Sequence, residues 1–429
     1  MKCALSLEAE GSVNRLTRHH TLRIFPWLGW LTRYSPHIWG SWYYLGFWGI
    51  VGAYIGFLNV YLVGAGFPAS LVGLMSALSP LMMLVFAPFV AAWADRHARR
   101  VPLLGWALVA MGIALLALFF AKGLVALSVA YFALATAYSL VLPLGDGLIA
   151  RLAAHHGLEY GRMRLWGSLS FALVSVGGGW LWDRIGYAPM FPLAGLLLLL
   201  FAPCVLVLEE GHTTAARERF RLQSLWRDRG LLIILLVSLL VGLGLGLTDP
   251  FLGLSLKRLG GDAFQIGLLF AVMALAELPT MRLEHTLARR LGNSGALLLG
   301  CGLFTLGYGL FALVRRPEAM ILASVFVGLG FGLVFVATVR VVDTLASAGR
   351  VSTLQSVRNA LTFGITPLLA SPLGGLVFEH VGQWVYALTA GCMALAGWTA
   401  WAGRGSLDPR DQSAPSEPLT ARALESPKP

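Results

Sequence analysis

Residues 178–186 read GGWLWDRIG, and residues 374–382 read GGLVFEHVG. Both segments have a glycine pair, an aromatic residue followed by an acidic one, and a closing glycine, at a displacement of 196 residues. This displacement is close to half of the 429-residue chain. The pair therefore indicates an internal repeat, in which the two halves have similar structures.

Two further matches in the same order support the repeat. Residues 72–77, VGLMSA, match residues 266–271, IGLLFA, at a displacement of 194. Residues 98–100, ARR, match residues 288–290 at a displacement of 190. Three matches in the same order are hard to assign to chance, and they predict two equivalent halves.

The composition predicts an integral membrane protein. Apolar residues make up 57% of the chain and charged residues only 12%, whereas soluble domains carry roughly 25% charged residues. A membrane-spanning helix needs about 20 mainly apolar residues. Twelve stretches qualify, approximately 40–63, 69–93, 102–121, 124–150, 164–182, 189–208, 229–253, 263–283, 294–314, 318–343, 354–378 and 383–403.

The basic residues predict the orientation of these helices. Alternating the twelve stretches puts 26 Lys and Arg on the side that holds both termini and the central loop, and six on the other side. Basic residues accumulate in the cytoplasm, so both termini are predicted to be cytoplasmic. The net charge of +11 is thus explained by membrane topology, and no nucleic-acid partner is expected.

The predicted fold is an all-α integral membrane protein whose two six-helix repeats lie parallel. Its divisions are a cytoplasmic N-terminal segment (1–38), a first bundle (39–208), a cytoplasmic linker (209–228), a second bundle (229–403) and a disordered cytoplasmic tail (404–429).

Residues 93–100, WADRHARR, resemble the signature loop between spans 2 and 3 of the major facilitator superfamily. Two parallel six-helix repeats are also the architecture of that superfamily. The resemblance implies a charge cluster that latches the cytoplasmic side in one state, formed by Asp95, Arg96, Arg99 and Arg100. The alternative is that these basic residues only fix topology. Ala91 and Ala98 stand where the family motif has glycines, which puts close helix contact there in doubt.

Several charged residues fall inside the predicted spans. A charge near the bilayer centre costs about 2.5–3.5 kcal/mol on insertion scales, so each is a functional hypothesis. The candidates are Asp146, Arg164, Asp249, Glu277, and Arg340 with Asp343.

Residues 143–146, PLGD, and 160–171, YGRMRLWGSLSF, resemble the phenylpropionate-permease branch of the superfamily and, more distantly, lactose permease. The resemblance implies that Asp146 and Arg164 bind substrate, with Ser168 and Phe171 beside them. An Asp and an Arg on facing helices suit a polar or anionic solute. The alternative is a purely structural ion pair between spans 4 and 5. Tyr44 and Asn59 of span 1 are further candidates for the cavity wall, although packing is the commoner role of such residues.

For Glu277 the resemblance implies a carboxylate shared between substrate and proton; a hydrogen bond to a neighbouring helix is the alternative. Span 10 of the branch carries histidines, but this chain has apolar residues there, such as Val327 and Phe335. The proton-coupling candidates are therefore Glu277, Asp249 and Asp146. Substrate identity does not follow from the resemblance.

No phosphate-binding loop, zinc-protease motif or nucleophile elbow occurs in the chain, so it is not expected to be an enzyme or to use a cofactor. We expect a monomeric secondary transporter in the plasma membrane (the inner membrane of a Gram-negative cell), driven by an ion gradient and working by proton symport. Proton-driven efflux is the alternative within transporters. A transport-inactive sensor or assembly partner is the alternative of another class.

Overall fold

The computed structural model describes residues 36–97, 99–210, 228–346 and 351–408. Most of the predicted N-terminal segment, the linker from 211 to 227 and the tail from 409 onward lie outside these ranges. The described residues are helical throughout, joined by short turns. We call residues 36–208 the N-terminal half and residues 229–402 the C-terminal half.

The N-terminal half contains helices that coincide with the first six apolar stretches. They are α1 (Pro36–Gly52 and Ile55–Gly64), α2 (Ala69–Ser76, Leu78–Val85 and Ala87–His97), α3 (Arg100–Phe120), α4 (Gly123–His156), α5 (Tyr160–Ile185) and α6 (Met190–Phe201, continued by a 3-10 segment Ala202–Val207).

The C-terminal half repeats this pattern. It contains α7 (Arg229–Thr248 and Leu252–Arg258, joined by a 3-10 turn), α8 and α9 within the run Ala263–Leu313, α10 (Pro317–Leu345), α11 (Val351–Ala360 and Thr366–Val381, joined by a π-helical turn Leu361–Ile365) and α12 (Val385–Ala402). Gly292 has φ 77° and ψ 170°, a conformation open to glycine, and it separates α8 from α9.

Nine helical runs within the described ranges are long and apolar enough to cross a membrane. Two of these runs, Ala263–Leu313 and Thr353–Ala402, each contain two of the predicted stretches. Helix α5 is not among the nine, because serine, glycine and tryptophan replace aliphatic residues along it. A more polar helix inside a membrane protein is expected to face protein or water rather than lipid.

The two halves pack tightly at one end of the bundle, which we call the sealed end and define by the turns at 64–69, 185–190, 258–263 and 381–385. A Cβ on Gly179 of α5 would lie 2.5 Å from the carbonyl oxygen of Ala263, at the start of α8. A Cβ on Gly375 of α11 would lie 2.7 Å from the carbonyl oxygen of Ala69, at the start of α2. These close approaches require glycine, and each is the repeat of the other.

The sealed end also carries two carboxylates that cap helices of the opposite half. The backbone N–H of Ser70 donates to Glu379 Oε2 at 2.9 Å, and that of Ala263 donates to Asp183 Oδ1 at 3.4 Å. The first N–H groups of a helix have no intrahelical acceptor, and negative charge is favourable there. Asp183 and Glu379 therefore join the halves in equivalent ways.

The opposite end, which we call the basic end, is defined by residues 97, 99–100, 156–160, 290–293, 345–346 and 351. Extensive packing between the halves runs from the sealed end to the middle of the helices, where Leu84 lies against Gly364. Beyond that point, Ala87–His97 and Val351–Ala360 pack chiefly within their own halves. The halves are therefore closed together at the sealed end and diverge toward the basic end.

Candidate functional site

A polar stripe runs along α5 on the side that faces the centre of the bundle. Tyr160, Arg164 and Ser168 are spaced four residues apart, so they lie above one another on one helix face. All three contact other helices through their polar atoms. This stripe positions the candidate site.

Two residues of the stripe, Tyr160 and Arg164, form a four-residue network with Tyr44 and Asp146. Arg164 Nη1 lies 3.5 Å from Asp146 Oδ1 of α4. The hydroxyl of Tyr44 donates to the same carboxylate oxygen at 2.6 Å and lies 2.8 Å from the hydroxyl of Tyr160. The Asp146 carboxylate thus holds a guanidinium from α5 and a phenol from α1.

Glycines allow the three helices to come this close. A Cβ on Gly145 would collide with the hydroxyl of Tyr43, and a Cβ on Gly167 would lie 2.8 Å from Trp48 Cδ1. Small residues at such points let helix backbones approach without clashes. The aromatic face of α1 is therefore seated directly against α4 and α5.

The ion pair is not sealed away from water. The Arg164 side chain keeps 36% of its accessible surface and that of Asp146 keeps 40%. Charged side chains inside a membrane bundle usually face a water-filled space and mark a substrate path. With acceptor oxygens on Asp146 and donor groups on Arg164 and the two phenols, the network can hold several hydroxyl groups at once.

A second polar contact crosses from one half to the other. Ser168 Oγ of α5 donates to Glu277 Oε1 of α8 at 2.9 Å. Arg164 is close enough to Glu277 to interact with it electrostatically. The Ser168–Glu277 hydrogen bond therefore joins the two halves one helical turn along α5 from Arg164.

Other predicted site residues lie elsewhere. Asn59 Nδ2 donates to the carbonyl oxygen of Pro250 at 2.8 Å, which ties α1 to α7 at the sealed end. Asp249 begins the 3-10 turn of α7, Asp249–Phe251, and its Oδ1 lies 3.4 Å from the hydroxyl of Tyr308. At 1.5 Å per residue, Asn59 is about 20 Å along α1 from Tyr44. These two residues are not part of the Asp146 network.

Phe171 lies one further turn along α5, with its ring edge-on to Trp48 at a centroid distance of 6.3 Å. Its backbone carbonyl contacts Gly52 of α1. The ring is partly exposed and continues the wall of the site toward the sealed end.

The predicted latch motif is described only in part. The side chain of Asp95 and residue Ala98 lie outside the described set, while Arg96 and Arg99 are exposed. Arg100 is buried, and its Nη1 would lie 2.8 Å from a Cβ on Gly147 of α4. Arg100 thus packs within its own half, and the latch between the halves stays a prediction.

The structure adds residues that the sequence analysis did not single out. Tyr160 joins the network, and its position four residues before Arg164 was the available signal.

A second buried ion pair lies in the C-terminal half. Glu284 is 1% exposed and pairs with Arg340 at 2.7 Å. Arg340 also lies 2.7 Å from His285 Nδ1, so its partners are on α8 rather than Asp343 on its own helix. Arg358 of α11 is buried as well.

Comparison with known proteins identifies the family. Residues 37–388 match the model of the MFS_1-like family. The chain belongs to this family, and it is a multi-pass membrane transporter of the major facilitator class. The family predicted from the loop at 93–100 and the repeat is confirmed.

Two curated relatives and one solved structure support this assignment. The maltose permease of Geobacillus stearothermophilus is 29% identical over 337 residues, covering 77% of this chain and 84% of the permease. The uncharacterized transporter YwbF of Bacillus subtilis is 24% identical over 352 residues, covering 81% of this chain and 88% of YwbF. The crystal structure of the nucleoside transporter NupG superposes with a TM-score of 0.72 at 15% identity, over 86% of this chain and 99% of NupG.

Proposed function

We propose that this protein is a secondary active transporter that imports a polyhydroxylated solute together with protons by alternating access. The observation that carries the proposal is the Asp146–Arg164–Tyr44–Tyr160 network, with the Ser168–Glu277 hydrogen bond to the other half one turn further along α5. In such transporters the substrate binds near the membrane midplane between two repeats that rock against each other. A network in the N-terminal half, beside a hydrogen bond to the C-terminal half, is in the right place for that role.

Twelve membrane crossings with both termini in the cytoplasm fit the chain best. Two of the nine apolar runs, Ala263–Leu313 and Thr353–Ala402, each account for two crossings, which makes eleven. Helix α5 is the twelfth. The basic end then faces the cytoplasm, because 26 of the 32 Lys and Arg belong to that side. The conformation described above is accordingly the cytoplasm-facing one, in a plasma or bacterial inner membrane.

The chemistry of the network favours a hydroxylated substrate such as a disaccharide or a nucleoside. The charge of Arg164 is already balanced by Asp146, so the pair offers donors and acceptors without a net charge to neutralise. Aromatic faces at Trp48 and Phe171 line the adjacent wall and suit the apolar face of a ring. The names of the maltose permease and of the nucleoside transporter NupG agree with this class of solute.

Proton coupling is assigned to Glu277. When neutral, its carboxyl group can donate to substrate; when charged, it accepts from Ser168 and lies near Arg164. Exchange of one proton therefore changes both the contact between the halves and the electrostatics of the site. Asp249 and Asp146 are the other titratable candidates. The proposal includes no enzymatic activity and no cofactor, and one chain forms the whole path.

The test is uptake into proteoliposomes under an imposed pH gradient, alkaline inside. Radiolabelled maltose and uridine are the probes, with phenylpropionate as an anionic comparison. We expect accumulation of one of the hydroxylated probes, and loss of at least tenfold in Asp146→Asn and Arg164→Gln. In Glu277→Gln, exchange of internal for external substrate should persist while gradient-driven accumulation is lost.

Glu318→Gln is the matched control, because Glu318 is an exposed carboxylate at the sealed end that accepts only from Gln265 among its described contacts. It should transport as the wild type does. Accumulation driven by the opposite gradient would instead establish efflux. Uptake that survives both Asp146→Asn and Arg164→Gln would place the substrate elsewhere.

A further inference from the structure

Three exposed arginines stand at the basic end of the C-terminal half. Arg289 and Arg290 lie near the end of α8, just before Gly292, and Arg404 follows the end of α12. None of the three forms an ion pair with another residue in the part of the chain that the structure describes. Their charges are therefore directed to the surroundings of the protein.

Hydrogen bonds hold together the two chain segments that carry these arginines. Asn293 Nδ2 donates to the carbonyl oxygen of Leu407 at 3.1 Å, and the backbone N–H of Asn293 donates to Asp408 Oδ1 at 2.5 Å. Arg290 precedes Asn293 by three residues, and Arg404 precedes Leu407 by three residues. Because each arginine is about one helical turn from the same contact, the two side chains lie in one small area of the surface.

The nearby acidic residues do not cancel this positive charge. The carboxylate of Asp408 accepts from the backbone N–H groups of Asn293 and Ser294 at the start of α9, where negative charge is favourable. Asp228 lies beside Arg229 at the start of α7, so the charges of those two residues balance each other. One carboxylate therefore stands against three arginines.

An apolar surface extends from the arginines along α9 and α12. The two helices pack side by side, since a Cβ on Gly397 would lie 3.1 Å from Cys301 Cβ and 3.5 Å from Leu298 Cδ1. Both helices have exposed large apolar side chains, which in a membrane protein face lipid: Leu291, Leu298, Leu299, Leu395, Trp398 and Trp401. The guanidinium carbon of Arg404 lies 5.3 Å from the centre of the Trp401 ring. Tryptophan is enriched at the level of the lipid headgroups.

The equivalent place in the N-terminal half has a different charge pattern. Glu210 follows α6, and its Oε1 accepts from the backbone N–H of Val101 at 3.0 Å, so it caps α3 as Asp408 caps α9. Arg100, which the repeat matches with Arg290, is buried. The end of α6, residues 202–208, contains neither an arginine nor a tryptophan. The exposed arginine cluster beside tryptophan thus distinguishes the C-terminal half.

We propose that this surface of the C-terminal half binds an anionic phospholipid, with the phosphate at Arg290 and Arg404 and the acyl chains along α9 and α12. Guanidinium groups donate in pairs to phosphate oxygens. Basic residues beside a membrane-spanning helix attract anionic lipids, and Arg289 adds to this attraction. The exposed leucines and tryptophans bind the acyl chains, which a free phosphate ion lacks. The site is separate from the Asp146 network and does not depend on the proposed substrate.

The test compares two lipids at two equivalent positions. The displacement of 192 residues between Val101 and Asn293 also pairs Trp106 with Leu298, and both side chains are exposed. Leu298→Cys or Trp106→Cys, in a cysteine-free background, carries a fluorophore. The protein is reconstituted in phosphatidylcholine vesicles that contain a small fraction of spin-labelled phosphatidylglycerol or spin-labelled phosphatidylcholine. The ratio of quenching by these two lipids measures the preference for the anionic headgroup.

At Leu298→Cys, quenching by phosphatidylglycerol should be about fivefold stronger than quenching by phosphatidylcholine, whereas at Trp106→Cys the two should be about equal. Adding Arg290→Gln and Arg404→Gln together should lower the ratio at Leu298→Cys to about one. Arg404→Lys should keep most of the preference, because the positive charge remains. Arg316→Gln is the matched control: it removes an exposed arginine at the sealed end and should leave the ratio unchanged.

Equal quenching by the two lipids at Leu298→Cys would overturn the proposal, and so would the same preference at Trp106→Cys. A preference that survives the double substitution of Arg290 and Arg404 would reject these residues as ligands. Excess inorganic phosphate should not displace spin-labelled phosphatidylglycerol, because it lacks acyl chains. Displacement by phosphate alone would show a site for a free anion and contradict the lipid site.

Discussion

The sealed end and the middle of the molecule are built by opposite rules. At the sealed end, two pairs of contacts between the halves are equivalent in the repeat: Gly179 against Ala263 corresponds to Gly375 against Ala69, and Asp183 corresponds to Glu379. At the middle the correspondence is lost. At the displacement of 194 residues Asp146 aligns with Arg340, and at the displacement of 196 found for residues 178–186 Arg164 aligns with Ala360, so the Asp146–Arg164 pair exists in one half only.

This difference separates two tasks within one repeat. Closing one end of the bundle requires close backbone contacts at glycines and carboxylates that cap helix N-termini. The same contacts can be formed by both halves, so a symmetric arrangement is sufficient. Holding an asymmetric solute needs different groups on its two sides. The two halves therefore have equivalent residues at the sealed end and different residues at the proposed substrate site.

The largest effect is expected from filling one of the close contacts at the sealed end. Gly179→Val places a branched side chain against the backbone of Ala263, so the sealed end should no longer close. Spin labels on Lys122→Cys and Arg315→Cys, in a cysteine-free background, report the separation of the halves by double electron–electron resonance. The closed population should fall more than tenfold. Gly177→Val, two residues away and facing open space, should leave the distance unchanged.

The second effect is expected at the network itself. Asp146→Asn leaves Arg164 without its counter-charge and replaces one carboxylate oxygen of the network by an NH2 donor, so the affinity for the solute identified by uptake should fall at least tenfold. Titration calorimetry measures this loss. The spin-label distance at the sealed end should be the same as in the wild type, and a change there would contradict the separation of the two tasks.

A smaller effect is expected from making one half resemble the other. Trp182 Nε1 donates to the carbonyl oxygen of Ala53 at 2.8 Å, and the repeat places Phe378 at the equivalent position. Trp182→Phe should cost about 1 kcal/mol of stability through the lost hydrogen bond. Thermal unfolding in detergent measures it. Trp180→Phe, at an exposed ring on the same helix, should be close to neutral.

The smallest effect is expected from the two capping carboxylates. Glu379→Gln and Asp183→Asn each remove a charge from a helix N-terminus but leave an oxygen acceptor in place. Each should shift the same spin-label distribution toward separation by about twofold. The double variant should show the combined shift, because the two caps lie on different helix pairs. A shift in only one of the single variants would show that the repeat is not functionally symmetric.

The sequence by itself determined the helices, the repeat, the family and the Asp146–Arg164 pair. A membrane-spanning helix is recognised from about 20 consecutive residues, so it is a local property of the sequence. The repeat is recognised by direct comparison of sequence segments. The pair was accessible because both residues are charges inside apolar stretches, which are rare and costly.

Only the tertiary structure decided which side chains meet. It joined Ser168 to Glu277, took Asn59 to Pro250 at the sealed end, brought Tyr160 into the network and left Arg358 among neutral groups. Each of these depends on the rotation of one helix against a partner distant in sequence. In a membrane that rotation is set by close packing of small residues rather than by hydrophobicity, so no periodicity along the chain could reveal it.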